Sequence, residues 1–251
     1  MTRLHCPLPI VVGEGFELPA TAARHAQVLR LQPGDPLSLF DGVGGAWSAE
    51  VVSMGRQSVH ARALAPRALQ AVPSRSVTLA VGMPANERMD WLVEKATELG
   101  VTRLVPLLTE RTVVRLQGER AEKRVAHWLA IAASACEQSG RDVLPRIEPV
   151  QSLGQWLRDG RSVVGHAALW MRLSLSDGAQ DGCSVRLAPG QALCAALGPE
   201  GGWSPSEEAA LAQAAYAPVS LGPAVLRSET AALTVLARWA DAGPPTTATG
   251  Q

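Results

Sequence analysis

From Ser76 onward, short apolar runs alternate with amphipathic helical stretches, and this alternation restricts the fold more than any other feature. The runs are Val77–Gly82, Val101–Leu107, Ser162–Gly165, Ala192–Leu197 and Ala217–Leu221. Unbroken apolar strands separated by helices imply an α/β domain whose parallel sheet is covered on both faces. One helix carries Met89, Leu92, Val93, Ala96 and Leu99 on one face and stops at Gly100. A second carries Val125, Trp128, Leu129, Ala132, Ala133 and Cys136 and stops at Gly140. A third starts at Ser204-Pro205-Ser206-Glu207, which has the form of a capping box with proline at the first helical position. A last helix is expected from Ser228, as its N-cap, to Ala240.

The first part of the chain follows a different period. Pro36–Phe40, Ala46–Val52 and Ser58–Leu64 alternate as strands, and Ala20–Leu31 reads as a short helix closed by Pro33-Gly34. Short strands joined by glycine-rich turns predict a small β-barrel. Gly42-x-Gly44-Gly45 reads as a hairpin turn, because no long apolar strand precedes it and no helix follows. Pro66–Ser76 is the expected linker, giving domains at 1–72 and 73–251, and the Pro/Thr/Gly-rich tail after Gly243 is expected to fray.

Composition excludes several classes. Apolar residues are 47% of the 251 and charged residues 18%, which provides for a large core and excludes wholesale disorder. No apolar stretch approaches the roughly 20 residues of a membrane span, and the start lacks a signal-peptide pattern. A soluble, cytoplasmic protein is expected, with no membrane partner. Cys6, Cys136, Cys183 and Cys194 are scattered without metal-ligand spacing, so no metal site is expected. The five histidines form no triad pattern. The 23 basic and 23 acidic residues cancel, which argues against nucleic-acid binding by bulk charge alone. Lysine occurs only at 95 and 123, so nearly all positive charge is guanidinium, suited to bidentate phosphate contacts.

Two loops stand out near the C-terminus. Gly198-Pro-Glu-Gly-Gly202 and Leu221-Gly-Pro-Ala-Val-Leu-Arg-Ser-Glu-Thr-Ala231 each join an apolar run to a helical pattern. Such loops build a ligand pocket at the carboxyl edge of a parallel sheet. Read singly, each also serves as an ordinary tight connection or helix cap. Glu137-Gln-Ser-Gly-Arg141 either ends a helix or presents a polar cluster to a substrate. Arg3, Arg24, His25 and Arg30 are surface residues of the first domain or RNA contacts.

Together these segments resemble one family: the RsmE family of ribosomal small-subunit methyltransferases, within the SPOUT superfamily. The similarity runs in order through Arg3, Val28–Asp35 and the Phe40-Asp-Gly turn. It continues through Glu94–Val101, Pro106–Arg111, Ala135–Arg141, Gly198–Gly202 and Leu221–Ala231. The resemblance implies a trefoil-knotted α/β domain, an N-terminal PUA-like barrel and a homodimer. It also implies methyl transfer from S-adenosyl-L-methionine to N3 of a uridine in 16S rRNA of the small ribosomal subunit.

By the same resemblance, Leu197, Gly198, Pro199, Glu200, Gly201, Gly202, Leu221, Gly222, Leu226 and Thr230 enclose the cofactor. Arg24, Arg30, Gln138 and Arg141 hold the RNA. Uracil N3 is a poor nucleophile while protonated, so Arg227 or Arg3 is expected to stabilise the uridine anion. Glu229 is expected to orient Arg227 or accept the proton. The target base must be unpaired or flipped, since N3 lies on its Watson–Crick edge. The chain departs from the family pattern at Ala224, where arginine is usual, and at Ser228, where threonine is usual. It also departs at Gly165–Trp170, where a third cofactor loop containing His166 is expected. The competing readings are a SPOUT methyltransferase with another RNA target and a non-catalytic RNA-binding assembly factor. An NAD-type oxidoreductase fails for want of G-x-G-x-x-G after the first α/β strand.

Overall fold

The computed structural model describes residues 1–68 and 75–240. The described residues fall into two compact units, 1–68 with 133–144, and 75–132 with 145–240. Most of the expected linker and the tail after Gly243 lie outside the described residues.

In the first unit, β1 (Thr2–His5), β2 (Gly15–Glu17), β3 (Pro36–Phe40), β4 (Ala46–Met54) and β5 (Val59–Pro66) form one sheet in the order β1-β3-β4-β5-β2. Only the β1–β3 pair is parallel. Pro66 therefore closes a strand rather than opening the linker. In β5, Val59, Ala61 and Ala63 are buried while His60, Arg62 and Leu64 face solvent, the period-2 pattern of a half-buried strand. The helix α1 (Ala20–Val28) stops three residues before the predicted Leu31. Arg30 there takes a left-handed backbone with φ 56°, and Leu31 N–H donates to the Ala26 carbonyl, closing the helix without a glycine. Ala22, Ala23 and Ala26 pack on Leu4, Leu37, Leu39, Val51 and Val59.

The second unit is the predicted parallel α/β architecture. Its strands are β6 (Val77–Gly82), β7 (Arg103–Leu108), β8 (Arg146–Ile147), β9 (Gln151–Ser152), β10 (Leu169–Leu173), β11 (Gln180–Asp181), β12 (Leu193–Leu197) and β13 (Ala217–Ser220). The order is β11-β13-β10-β12-β6-β7-β8, with β9 also on β7, and every pairing is parallel. All residues of β6 and β12 are buried, as required of central strands covered on both faces.

The helices α2 (Asn86–Glu98), α3 (Glu119–Ser139) and α6 (Ser228–Trp239) supply one core layer. There Met89, Leu92, Val93, Trp128, Val235 and Leu236 meet Leu79, Val81 and Ala195. On the other layer, α4 (Leu153–Val164) and α5 (Pro205–Gln213) bring Trp156 and Leu211 to Ala80, Val105, Cys194 and Ala196. The capping box at Ser204 forms as predicted. Two expectations fail locally. Ser162–Val164 is the end of α4, because apolar residues there continue a helical face; the strand comes later, at β10. Ser228 is the first helical residue, and Arg227 occupies the N-cap with no side-chain cap bond.

Candidate functional site

Three parallel neighbours, β13, β10 and β12, end at the same carboxyl edge. The loops that follow them enclose a cavity of about 420 Å³, within the second unit. Its walls come from Leu173–Leu175 after β10, Leu197–Glu200 with Gly202 and Trp203 after β12, and Leu221–Ser228 apart from Pro223 after β13. The central strand β10 is flanked on either side by strands reached by non-sequential connections, the arrangement in which open α/β sheets place ligands.

The Gly198–Gly202 loop is compact. Gly202 N–H donates to the Pro199 carbonyl at 2.8 Å. A Cβ on Gly82, at the end of β6, would lie 2.6 Å from Pro199 Cδ, so the loop crosses over a strand end that only glycine permits. Glu200 Oε1 accepts from Ala85 N–H at 2.9 Å and lies 3.3 Å from Arg88 Nη1. The carboxylate thereby caps α2, whose own N-cap Ala85 has no side-chain acceptor.

Across the cavity, Gly222 N–H donates to Ser220 Oγ, while the backbone N–H groups of Ala224, Val225 and Leu226 donate to no described residue. Arg227 is exposed and lines the cavity, and its guanidinium makes no hydrogen bond or ion pair among the described residues. It stands at the start of α6, where the first-turn N–H groups and the helix dipole add positive potential. Glu229 is buried and accepts from Ser228 Oγ at 3.3 Å; it makes no ion pair with Arg227.

Nine of the expected residues line the cavity: Leu197, Gly198, Pro199, Glu200, Gly202, Leu221, Gly222, Leu226 and Arg227. Gly201, Glu229 and Thr230 do not, since Gly201 faces Arg111 and Thr230 is exposed in the first turn of α6. The expected loop at 165–170 is misplaced. Exposed His166 precedes β10, and the loop that serves the cavity follows β10, at Leu173–Leu175. Sequence reasoning also missed Arg88, Trp203, Glu208 and Val225.

The remaining expected residues belong to the first unit. Arg3 Nη2 donates to Asp142 Oδ1 at 2.6 Å and to the Arg141 carbonyl at 3.0 Å, and its guanidinium lies 5.0 Å from the Phe40 ring centroid. Glu137 accepts from His5 N–H at 2.8 Å and lies 2.9 Å from His25 Nδ1, which joins α1 and β1 to the end of α3. Arg24, Arg30 and Gln138 are exposed. Arg141 is half-buried, and burial lowers its pKa from the ordinary guanidinium value. Burial likewise pushes the Cys136 thiol up to about 11.

An RNA methyltransferase domain model matches residues 70–240 and an RNA methyltransferase PUA domain model matches residues 18–64. The protein named ribosomal RNA small subunit methyltransferase E in Mycobacterium bovis is 35% identical over 214 residues, 84% of this chain and 80% of that protein. This chain belongs to the ribosomal RNA small subunit methyltransferase E family. The family member from Bacillus subtilis is 29% identical and covers 88% of each chain. The solved family member from Neisseria gonorrhoeae, bound to S-adenosyl methionine, superposes with a TM-score of 0.88 at 35% identity, covering 94% of this chain and 96% of that one. A putative methyltransferase from Legionella pneumophila, in complex with the same cofactor, gives a TM-score of 0.88 at 31% identity, with 94% and 95% covered. Family membership places the second unit as an α/β SPOUT domain and the first as PUA-like. No described helix is long and apolar enough to cross a membrane.

Proposed function

We propose that this protein transfers a methyl group from S-adenosylmethionine to N3 of a uridine in 16S rRNA. The observation that carries the reading is the three-loop cavity with a free arginine at its edge. Its volume falls in the range of small-molecule pockets, about 300–1,000 Å³. Leu197, Pro199, Leu221 and Leu226 offer apolar walls for a purine, and the N–H groups of Ala224–Leu226, which donate to no described residue, offer donors to a heterocycle or carboxylate. These residues fit S-adenosylmethionine, and with Gly198, Glu200, Gly202 and Gly222 they would hold it. When bound, it supplies a methyl group already activated by a sulfonium.

What remains for the chain is the nucleophile. Arg227 cannot act as a base, because guanidinium keeps its proton. It stabilises the negative charge that builds on the uracil oxygens as N3 loses its proton, with the N-terminal dipole of α6 adding to the field. Glu229 is buried beside Ser228 in the same turn and does not line the cavity, so its part is to hold Ser228 and the first turn of α6, and the N3 proton passes to water. Arg24, Arg30, Gln138 and Arg141 of the first unit hold the RNA. Arg3 already bonds Asp142 and lies over the Phe40 ring, so its part is to fix the fold around Arg141, and Arg227 carries the charge stabilisation. A cytoplasmic homodimer belongs to the same reading, supported by the exposed apolar side chains of Leu175 and Val225 at the cavity mouth. So does the trefoil knot, supported by the non-sequential strand order.

The test uses purified protein, labelled S-adenosylmethionine and 30S subunits from a strain lacking this activity, followed by nucleoside analysis of the 16S rRNA. Label in N3-methyluridine supports the reading. Label in another nucleoside overturns the target assignment, and absence of both label and cofactor binding favours the non-catalytic alternative.

A further inference from the structure

The Gly198–Gly202 loop is held from outside the cavity by the turn that follows β7. Thr109 and Thr112 are buried and lock that turn: their hydroxyls lie 2.7 Å apart, Thr109 N–H donates to Thr112 Oγ1 at 3.1 Å, and Thr112 N–H donates to the Thr109 carbonyl at 3.2 Å. Between them, Glu110 N–H donates to Glu207 Oε1 at 2.8 Å. The other oxygen of Glu207 accepts from Ser204 N–H at 2.9 Å, so one buried carboxylate joins the turn to the start of α5. Ser206 Oγ donates to Glu110 Oε1 at 2.7 Å, a second link between the same two segments. Arg111 then reaches the loop itself: Nη1 donates to the Gly201 carbonyl at 2.7 Å. A Cβ on Gly201 would meet Arg111 Cβ at 3.2 Å, so the arginine stem lies flat along the loop backbone.

Arg111 does not line the cavity, and Gly201 is the one residue of Leu197–Trp203 that turns away from it. We propose that Arg111 is a positioning residue for cofactor binding: it fixes the Gly201 carbonyl and so holds Pro199, Glu200 and Gly202 in their cavity-facing places. This inference rests on the reading that the cavity holds S-adenosylmethionine. Among the described residues the loop has two hydrogen-bonded anchors, Arg111 at Gly201 and the Ala85–Arg88 corner at Glu200. Losing the first frees the loop to rotate about the second. The energetic cost then falls on binding, because the ligand must order the loop again. The guanidinium is exposed and so hydrogen-bonded modestly, which sets the scale of the effect.

The experiment compares wild type, Arg111→Ala, Arg111→Lys and a charge control, Arg115→Ala. Measured are S-adenosylmethionine affinity by calorimetry without RNA, KM and kcat with 30S subunits, and the ligand-free melting temperature. Arg111→Ala is expected to weaken cofactor affinity about fivefold and raise its KM in step, since a net hydrogen bond of ~1 kcal/mol corresponds to that ratio. The expected kcat and ligand-free melting temperature match wild type, Arg111→Lys recovers most of the affinity, and Arg115→Ala leaves it unchanged. Unchanged affinity in Arg111→Ala overturns the inference, as does a KM effect confined to the RNA, which would make Arg111 an RNA contact. A lowered ligand-free melting temperature that accounts for the weaker binding also overturns it. If wild type itself binds no S-adenosylmethionine, the functional reading fails first and takes this inference with it.

Discussion

Arg3 and Arg227 have the same side chain and were expected to share one task, yet the two units treat them oppositely. In the first unit Arg3 is largely buried, bonded to Asp142 and the Arg141 carbonyl, and laid against Phe40. In the second, Arg227 is exposed at a cavity edge with no partner among the described residues. A charge already satisfied by a neighbouring carboxylate offers little further stabilisation to a forming anion. A charge left free beside a pocket is available to whatever binds there. The contrast separates an arginine engaged in holding a fold from one left available at a cavity edge.

The largest effect that can break this contrast is on turnover. Arg227→Ala is expected to lower methyl transfer by about 100- to 1,000-fold, the usual loss for one anion-stabilising donor. Cofactor affinity and melting temperature should stay at wild-type values, as single-turnover assays, calorimetry and thermal unfolding will report. Unaltered turnover would remove Arg227 from the mechanism.

Arg3→Ala should show itself in stability instead. It removes the guanidinium bonded to Asp142, 9% exposed, and to the Arg141 carbonyl, at a cost of about 3 kcal/mol in urea unfolding of the full chain. A fully stable Arg3→Ala protein with turnover as low as Arg227→Ala would invert the assignment of roles.

A buried thiol in each unit extends the comparison to pH. Burial holds Cys136 at about 11 and Cys194 at about 12, above the ordinary thiol value of 9.0. As pH rises past 9 the unfolded chain loses these protons first. The thiols' contribution is therefore full below pH 9 and declines toward 11 for Cys136 and 12 for Cys194, by up to about 1.4 kcal/mol per pH unit for each. Cys136→Ala should flatten the slope by that one thiol's share, Cys6 of the same unit being raised by burial as well. An identical slope in that variant would show that other groups carry the pH dependence.

The smallest effect concerns two left-handed residues outside glycine, Arg30 at φ 56° in the first unit and Ala215 at φ 59° in the second. Replacing either by glycine should stabilise the protein by about 1 kcal/mol, because the Cβ clash is relieved. Only Arg30→Gly should also weaken binding to 16S rRNA. Equal RNA affinity in both variants would leave Arg30 without a role in substrate binding.

Much of the cavity is legible in the sequence. Gly198–Gly202 and Leu221–Leu226 were readable as pocket loops because glycine and proline at a strand end mark a turn whatever surrounds it. The misreading of Ser162–Gly165 has an equally local cause: a short apolar run fits a buried strand or the last turn of a helix. That error displaced the third loop, from the residues before β10 to Leu173–Leu175 after it.

The chain alone determined the alternation of strands and helices, the parallel sheet, the capping box at Ser204 and the glycine stops, all of which depend on neighbours within a few residues. Tertiary structure decided which strands are adjacent, and hence that β10 lies between β12 and β13. It also decided that Asp142 reaches Arg3 across 139 positions and that Arg111 holds Gly201 across 90. Periodicity and capping report the local backbone. A charged side chain's role is set by the partner that packing brings to it, and no spacing in the sequence encodes that partner.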